Sequence, residues 1–377
     1  MIIGIDASRA NRPKKTGTEW YSYHLIKQLV AIDRQNQYIL YLDQPLEADL
    51  AKLCQQYSNI ESKVLNWPLG RFWTLGRLTL EMIVRPPDVL FVPAHVLPLL
   101  SRAKLVNTIH DVGFMALPKL YSRKAAFYLR WSTSWALIRA QHLIVISKFT
   151  KQEVQRYFRA DQSKITVVYN GYDSQIYQPQ DKAGQDSLIL TKYKIKQPYL
   201  LYIGRLESKK NIIGLLNGFR QYCQNNPQSQ LKLVLAGKRS PDFSQVNNLL
   251  SDPILVERCL ELGWTSETVL PSLLRQAQAF VFPSWYEGFG LPVLEAMASG
   301  TPVLSSNAGS LPEIGGEAAL YFDPADAGDL AAKIKLIIED NGLRQQLIET
   351  GLKRAADFNW TKTAQATLNI LEKVHVA

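Results

Sequence analysis

Three cysteines in 377 residues, Cys54, Cys223 and Cys259, stand too far apart for any disulfide or metal-ligand spacing. A disulfide-stapled fold and a thiolate metal site are both disfavoured, and a reducing compartment is the simplest setting. No apolar run approaches the ~20 residues of a membrane span. The opening MIIGIDASRA carries Asp6 and Arg9 within ten residues, which suits a first buried strand better than a secretory leader. The expected location is therefore cytoplasmic, with attachment to the inner face of the cytoplasmic membrane only from the side.

Several nucleotide signatures are also missing. There is no G-x-G-x-x-G fingerprint, and LAGKRS lacks the upstream glycine of a P-loop, so neither hydride transfer to NAD nor ATP hydrolysis is favoured. No Asp-x-Asp pair occurs. A carboxylate-held Mg²⁺ under a diphosphate is thus not indicated, and neither a metal nor a cofactor is expected. Aromatic residues do not alternate with basic ones in any recognition module, which argues against nucleic acid as a partner. Any phosphate held here must be neutralised by side-chain cations and main-chain amides.

What is present is a double series of short apolar runs separated by helical patterns. The first half has MIIGID, YILYL, DVLFVP, LVNTIHD, HLIVIS and ITVVYNG; the second has YLLYIGR, LKLVLAG, AFVFPS and TPVLSS. Strands buried on both faces and alternating with helices make parallel sheets. The chain is long enough for two cores, and residues 174–198, polar and poorly periodic, are expected to link them. The fold class is then α/β, two tandem Rossmann-like doubly wound domains facing a central cleft, at 1–180 and 186–357. Ligands in such sheets bind beyond the carboxyl ends of the strands.

Charge is unevenly placed. Residues 1–185 hold 24 Lys and Arg against 14 Asp and Glu, whereas residues 186–377 hold 19 of each. The excess is either a solvated surface or a docking face for anionic lipid, a phosphate-bearing acceptor or nucleic acid. The segment NWPLGRFWTLGRLTLEMIVRPP places Trp67, Phe72, Trp73, Leu75 and Leu78 among Arg71, Arg77 and Arg85. That mixture suits a headgroup interface as well as it suits a core with solvated arginines. Downstream, Arg123, Lys124, Arg130 and Arg139 add to the same domain.

Two loops carry the candidate chemistry. In YIGRLESKKN a strand ends at Gly204, and Arg205 and Lys210 follow it. Such a pair can clamp two phosphates or can be an ordinary cationic surface loop. In PSWYEGFGLPVLEAMASGTPVLSS, Pro292 suits the first turn of a helix and Gly300 its left-handed stop. Amides of Gly288, Phe289, Gly290 and Leu291 at that helix N-terminus make a pocket for negative oxygen. Glu287 stands at its mouth and Glu295 about one turn inside. A glycosidase pair would need the two carboxylates roughly 5–10 Å apart across one bond; on a loop and a helix they look more like holders of hydroxyls.

The segment 283–323 closely resembles the E-x7-E region of the family 4 retaining glycosyltransferases, which have the GT-B architecture. Four further segments agree in order: TIHDVGF at 108–114, IVISKFTKQEV at 144–154, VVYNGYD at 167–173 and YIGRLESKKN at 202–211. The resemblance implies that Arg205 and Lys210 hold the diphosphate of a nucleotide-sugar, without a metal. It implies Glu287 on donor-sugar hydroxyls and Glu295 on the nucleotide ribose, with Gly204 and Asp111 also on the donor. His110 would face the transferred sugar, its main-chain carbonyl stabilising positive charge at the anomeric carbon. The family's glycine-rich first loop is reduced here to Gly17, beside which Lys14 and Lys15 either share the phosphate or are solvated.

FNWTKTAQATLNILEKV gives Trp360, Ala364, Leu368 and Leu371 an apolar stripe at helical spacing, and the resemblance implies that helix 358–377 crosses back onto the first domain. The implied reaction is retaining, metal-independent hexosyl transfer from a nucleoside-diphosphate sugar to an acceptor hydroxyl of a lipid-linked or polysaccharide precursor. HDVGF with YEGFGLP resembles bacterial mannosyltransferases of polysaccharide assembly, which points to mannose from GDP-mannose, with UDP-glucose second. A sugar-phosphate synthase or phosphorylase is the alternative within the fold, and a non-catalytic nucleotide-sugar-binding subunit the one outside it.

Overall fold

Apolar runs such as VLFV, YLLYI and AFVF are buried at every position, and strands with no wet face pair in parallel beneath helices. The computed structural model describes residues 1–69, 72–94, 96–181, 184–240 and 244–376. They divide into two units, Met1–Gly171 with Asn359–Ala377, and Tyr172–Phe358. In the first, β1 (Ile2–Asp6), β2 (Gln37–Leu42), β3 (Ile60–Val64), β4 (Val89–Val92), β5 (Lys104–Ile109), β6 (His142–Val145) and β7 (Ile165–Val167) form one sheet. Its order is β3-β2-β1-β4-β5-β6-β7, with every neighbouring pair parallel.

The second unit contains β8 (Tyr199–Ile203), β9 (Lys232–Ala236), β10 (Cys259–Gly263), β11 (Ala279–Phe282), β12 (Val303–Ser306) and β13 (Ala319–Phe322). They lie in the order β10-β9-β8-β11-β12-β13, again all parallel. Three of these thirteen strands, β3, β10 and β13, have no counterpart among the apolar runs. All three are sheet edges; β3 (IESKV) and β10 (CLELG) carry charged residues that break an apolar run, whereas β13 (ALYF) is apolar throughout and was passed over.

The boundary differs from the expected one. Residues 172–180 belong to the second unit, because Tyr177 is buried there, Pro179 lies against Gly300, and Arg275 donates to the Gln178 carbonyl at 3.4 Å. The stretch read as linker also contains a helix, Asp186–Lys192. It is tied down by Arg275, whose Nη2 lies 2.6 Å from Asp186 Oδ1.

The last helix, Trp360–Val376, packs in the first unit against the helix Gly17–Ile32. Trp360, Ala364, Leu368 and Leu371 are all buried. A Cβ on Gly171 would lie 2.2 Å from the Trp360 nitrogen, so only glycine lets the outgoing and returning strands of chain run this close. Thr363 adds a hydrogen bond from its hydroxyl to the Tyr169 carbonyl at 2.7 Å.

Candidate functional site

In the second unit the strand order reverses between β8 and β11, so the loops after these two strands diverge and open a crevice. Gly204 ends β8 with φ +151, and the backbone of Gly237 comes so close that a Cβ there would sit 1.7 Å from the Gly204 oxygen. The Tyr202 hydroxyl donates to the Arg205 carbonyl at 2.9 Å, fixing the turn. Arg205 is exposed, with Glu207 3.8 Å away. Lys210 instead points inward: its Nζ is 2.5 Å from Glu287 Oε1 and 5.3 Å from the centre of the Phe282 ring. The Trp285 amide donates to the Lys209 carbonyl at 3.0 Å, joining the two loops. The structure thus brings Lys210 and Glu287 into one ion pair, a partnership that the sequence did not disclose.

The helix Leu291–Ala298 begins after Gly290, which has φ +101, and carries its proline in the first turn. Gly300 follows its end with φ +72. The Glu287–Leu291 loop is held from behind by a residue the sequence reading passed over. Ser310 Oγ bridges the carbonyls of Glu287 at 3.0 Å and Phe289 at 2.9 Å, while its amide also donates to the Glu287 oxygen. Gly309 sits so near that a Cβ would lie 2.8 Å from the Glu287 nitrogen, and its φ is +64. An Ala-Gly-Ser turn just before Leu-Pro was the available signal. Phe289 is buried with its ring edge-on to Phe358.

Glu295 lies on that helix. Its carboxyl is pushed up to about 8, first by burial and then by the negative charge of Glu267 and Asp173, with the Tyr177 phenol opposing. At neutral pH the side chain is therefore mostly protonated in the free protein.

In the first unit His110 follows β5 and is buried. Its Nε2 lies 2.8 Å from the Pro93 carbonyl, its ring is perpendicular to Tyr21 at 4.7 Å, and its own carbonyl accepts from Thr150 at 3.4 Å. Asp111 accepts from the Gly113 amide at 2.9 Å and so caps the short turn that follows.

Gly17 opens its helix, but nothing lies within 4 Å of a Cβ placed there, so no close approach demands glycine. The same helix end is covered by Glu19, which accepts from the Thr16 amide at 3.1 Å and from its hydroxyl. A carboxylate thus closes the capping box at the helix end where the resemblance implies phosphate. Lys15 pairs with Asp49 at 2.8 Å under the rings of Trp20 and Tyr23 and so is not simply solvated.

The stretch expected at a headgroup interface is divided between core and surface, with Leu69, Phe72, Leu80 and Val84 all exposed. Trp73 is buried and donates to the Leu65 carbonyl at 2.8 Å, Leu78 is fully buried, and Arg77 pairs with Glu81 at 3.1 Å. Phe72 is exposed, and Arg71 lies outside the described residues. The exposed aromatic face is on the helix Arg123–Arg139 instead, where Phe127 is 75% exposed, Ile138 71% and Trp131 36%. These residues recur at helical spacing on one face, beside the exposed Arg123, Lys124 and Arg130. Among the described residues no helix is long and apolar enough to cross a membrane, and no group of three or more His, Cys, Asp or Glu is placed to hold a metal ion.

Comparison with known proteins gives this geometry a context. Residues 190–354 match the family described as glycosyl transferases group 1, and residues 15–176 match glycosyltransferase family 4. The chain is 33% identical over 321 residues to O-antigen chain mannosyltransferase B of Escherichia coli, which covers 85% of this chain and 81% of that one. Among solved structures it resembles sucrose-phosphate synthase from Thermosynechococcus elongatus, with a TM-score of 0.79 at 20% identity over 100% of this chain and 99% of that one. It also resembles Anabaena Alr3699/HepE in complex with UDP-glucose, with a TM-score of 0.77 at 19% identity over 99% of each chain. The chain belongs to the family 4 glycosyltransferases of GT-B fold.

Proposed function

We propose that this glycosyltransferase moves mannose from GDP-mannose, with retention of anomeric configuration and without a metal, to a hydroxyl of a lipid-linked or polysaccharide precursor. The observation that carries the reading is the Lys210–Glu287 pair at the strand-order reversal of the second unit. With no ligand the two neutralise each other. A diphosphate offers Lys210 a doubly charged partner and, with Arg205, holds the leaving group; Glu287 is then released to accept from sugar hydroxyls. Glu295 bonds the ribose, and the amides of Gly288 to Leu291 lie near sugar and phosphate. His110 keeps the part implied by the resemblance, its carbonyl stabilising charge at the anomeric carbon, and Asp111 and Gly204 support the donor.

The bond from the anomeric carbon to the β-phosphate oxygen breaks as the acceptor oxygen bonds on the same face, and the acceptor proton passes to the leaving phosphate. No side chain attacks. Catalysis then rests on position and on charge stabilisation. The mannosyltransferase relative supports mannose; UDP-glucose is the second donor, favoured by the structural neighbour bound to it.

A thermal-shift panel of GDP-mannose, UDP-glucose and ADP-glucose tests the donor, since a ligand that binds only the native state raises its melting temperature. GDP-mannose is expected to give the largest shift, with transfer persisting in EDTA and an α-linked product by NMR. A larger shift with UDP-glucose would move the reading to the glucosyl donor, and no shift with any of the three would overturn it.

A further inference from the structure

Asn107 lies within β5, between β4 and β6 in the sheet of the first unit, and is fully buried. Its side-chain amide donates to the Val92 carbonyl at 3.2 Å and also to the Ala94 carbonyl, the two residues on either side of Pro93. The Pro93 carbonyl in turn lies 2.8 Å from His110 Nε2. Turning the amide over would set its oxygen against both carbonyls, so its orientation is fixed by its partners. Among the described residues that oxygen has no hydrogen-bond partner. Burying an unpartnered amide oxygen costs stability, and a leucine of similar volume would carry none. The two N–H groups alone account for the asparagine.

We propose that Asn107 is a positioning residue for sugar transfer, holding the Val92–Ala94 turn so that the Pro93 carbonyl receives the His110 Nε2 proton and the His110 backbone is anchored through its ring. This rests on the reading of His110 as the residue whose main-chain carbonyl stabilises charge at the anomeric carbon. Pro93 has no amide hydrogen, so strand pairing holds it less firmly than its neighbours. The clamp comes from the adjacent strand, where Asn107 is the register partner of Val92. A carbonyl oxygen accepts and never donates, so His110 Nε2 must carry a hydrogen while this bond persists. The ring is then the anchor and the main-chain carbonyl the working atom.

The rest of the surroundings hold His110 from other directions. The Tyr21 ring stands perpendicular to the imidazole at 4.7 Å, and the Tyr21 hydroxyl is 3.1 Å from Thr108 Oγ1. The Thr150 hydroxyl donates to the His110 carbonyl at 3.4 Å and itself accepts from the Ser147 hydroxyl at 3.0 Å. A dipole stabilises developing charge only when it is oriented before the reaction begins. Losing the asparagine clamp lets the ring, and the peptide behind it, drift. On the proposed reading the donor is held chiefly by Arg205, Lys210 and Glu287, so the loss falls on kcat and leaves KM for the donor close to its original value.

NMR of the full chain carrying isotopically labelled histidine tests the clamp without any substrate. Of its five histidines, His110 is identified by the signal missing from His110→Gln. Wild type is expected to show the Nε2–H form. In Asn107→Leu, which keeps the volume and removes both donors, the two tautomers are expected to mix and the Nε2 proton to exchange with solvent faster, as at a locally opened site. Asn107→Thr is the milder variant: its hydroxyl can donate to one of the two carbonyls and its branched shape suits a strand, so it is expected to lie between. Release of GDP from GDP-mannose, with water as acceptor, is expected to show kcat roughly tenfold to a hundredfold lower in Asn107→Leu, the scale of a small misplacement, with KM little changed. An unmoved His110 pattern in both variants, whatever their melting temperatures, would make the asparagine purely structural and overturn the inference. A changed pattern with wild-type kcat would overturn it too. Normal turnover in His110→Gln, or no nucleotide release from GDP-mannose or UDP-glucose by wild type, would instead remove the reading of His110 on which the inference rests.

Discussion

At the strand-order reversal of the second unit, Arg205 is exposed beside Glu207, and Lys210 and Glu287 hold each other in a largely enclosed ion pair. The same place in the first unit is built otherwise. There, between β1 and β4, β1 ends in Asp6, a buried carboxyl raised by desolvation that accepts from the Ser8 hydroxyl at 2.6 Å; His110, one strand further out after β5, is packed against Tyr21. Yet the first unit owns the basic excess, with 25 Lys and Arg against 13 Asp and Glu in residues 1–171 and 359–377, compared with 18 against 20 in residues 172–358. Its own reversal, between β1 and β4, is not without cations: Arg9, Arg12, Lys14 and Lys15 follow β1, where Arg9 pairs with Glu19, Arg12 with Asp43 and Lys15 with Asp49. Both reversals thus carry cations held by carboxylates, so net charge alone does not locate a phosphate site.

The sharpest way to break this comparison is Lys210→Ala. If the few charges of the second unit's crevice carry the leaving group, turnover falls by roughly a hundredfold or more, the scale for losing one preorganised charge-stabilising group. Arg205→Ala is expected to behave alike. Steady-state transfer by folded variants, checked by circular dichroism, measures it. Near-normal rates would mean that the cations of the first unit do the work instead.

A smaller effect separates the glutamates. On the proposed reading Glu287→Ala removes a sugar ligand, and it also frees Lys210, so intact donor is expected to bind roughly tenfold to a hundredfold more weakly, the scale of one or two hydrogen bonds to a charged group. Free nucleoside diphosphate is expected to bind as well as before, or better. Glu295→Ala weakens both ligands. Calorimetry with donor and nucleotide on each variant decides it, and equal losses of free nucleotide would contradict the division of roles.

The core of both sheets was legible because strands wet on neither face leave unbroken apolar runs, whereas the edge strands β3 and β10 are interrupted by charged residues and leave none; β13, ALYF, left a run that was overlooked. The donor-site loops were legible because glycine, proline and paired charges punctuate them. Their partnerships were not. No spacing announces that Lys210 pairs with Glu287 77 positions away, or that Tyr177 sits in a polar stretch only to be buried elsewhere. Nor does the sequence show that Lys15 is enclosed, since a cation near an aromatic reads the same whether it faces water or lies between rings and a carboxylate.

Gly309→Ala probes the support behind Glu287. A Cβ at φ +64 carries a cost of roughly 1–2 kcal/mol, and this one also meets the Glu287 backbone. The expected result is a melting temperature lower by several degrees and weaker donor binding, with the first unit's core untouched. Ser310→Ala is expected to weaken donor binding with less loss of stability, since it removes two hydrogen bonds and adds no clash. Unchanged donor binding in both would detach the Ala308–Ser310 turn from the site.

The smallest effect belongs to the surplus charge of the first unit. Phe127, Trp131 and Ile138 lie on one exposed face of the helix Arg123–Arg139, with Arg123, Lys124 and Arg130 beside them. Apolar rings flanked by cations suit the headgroup region of an anionic leaflet, where a lipid-linked acceptor would be presented. Each basic residue near such a surface contributes on the order of 1 kcal/mol, so three give reversible attachment that salt weakens. The protein is expected to sediment with phosphatidylglycerol vesicles at low salt, to be released at high salt, and to ignore phosphatidylcholine vesicles. Replacing Arg123, Lys124 and Arg130 by glutamine is expected to abolish sedimentation, and a single replacement to weaken it several-fold, while transfer to a soluble acceptor stays at the wild-type rate. Equal recovery in the supernatant with both lipids would remove the membrane partner and favour a soluble acceptor, leaving the basic face as a solvated surface and the donor chemistry of the second unit unaffected.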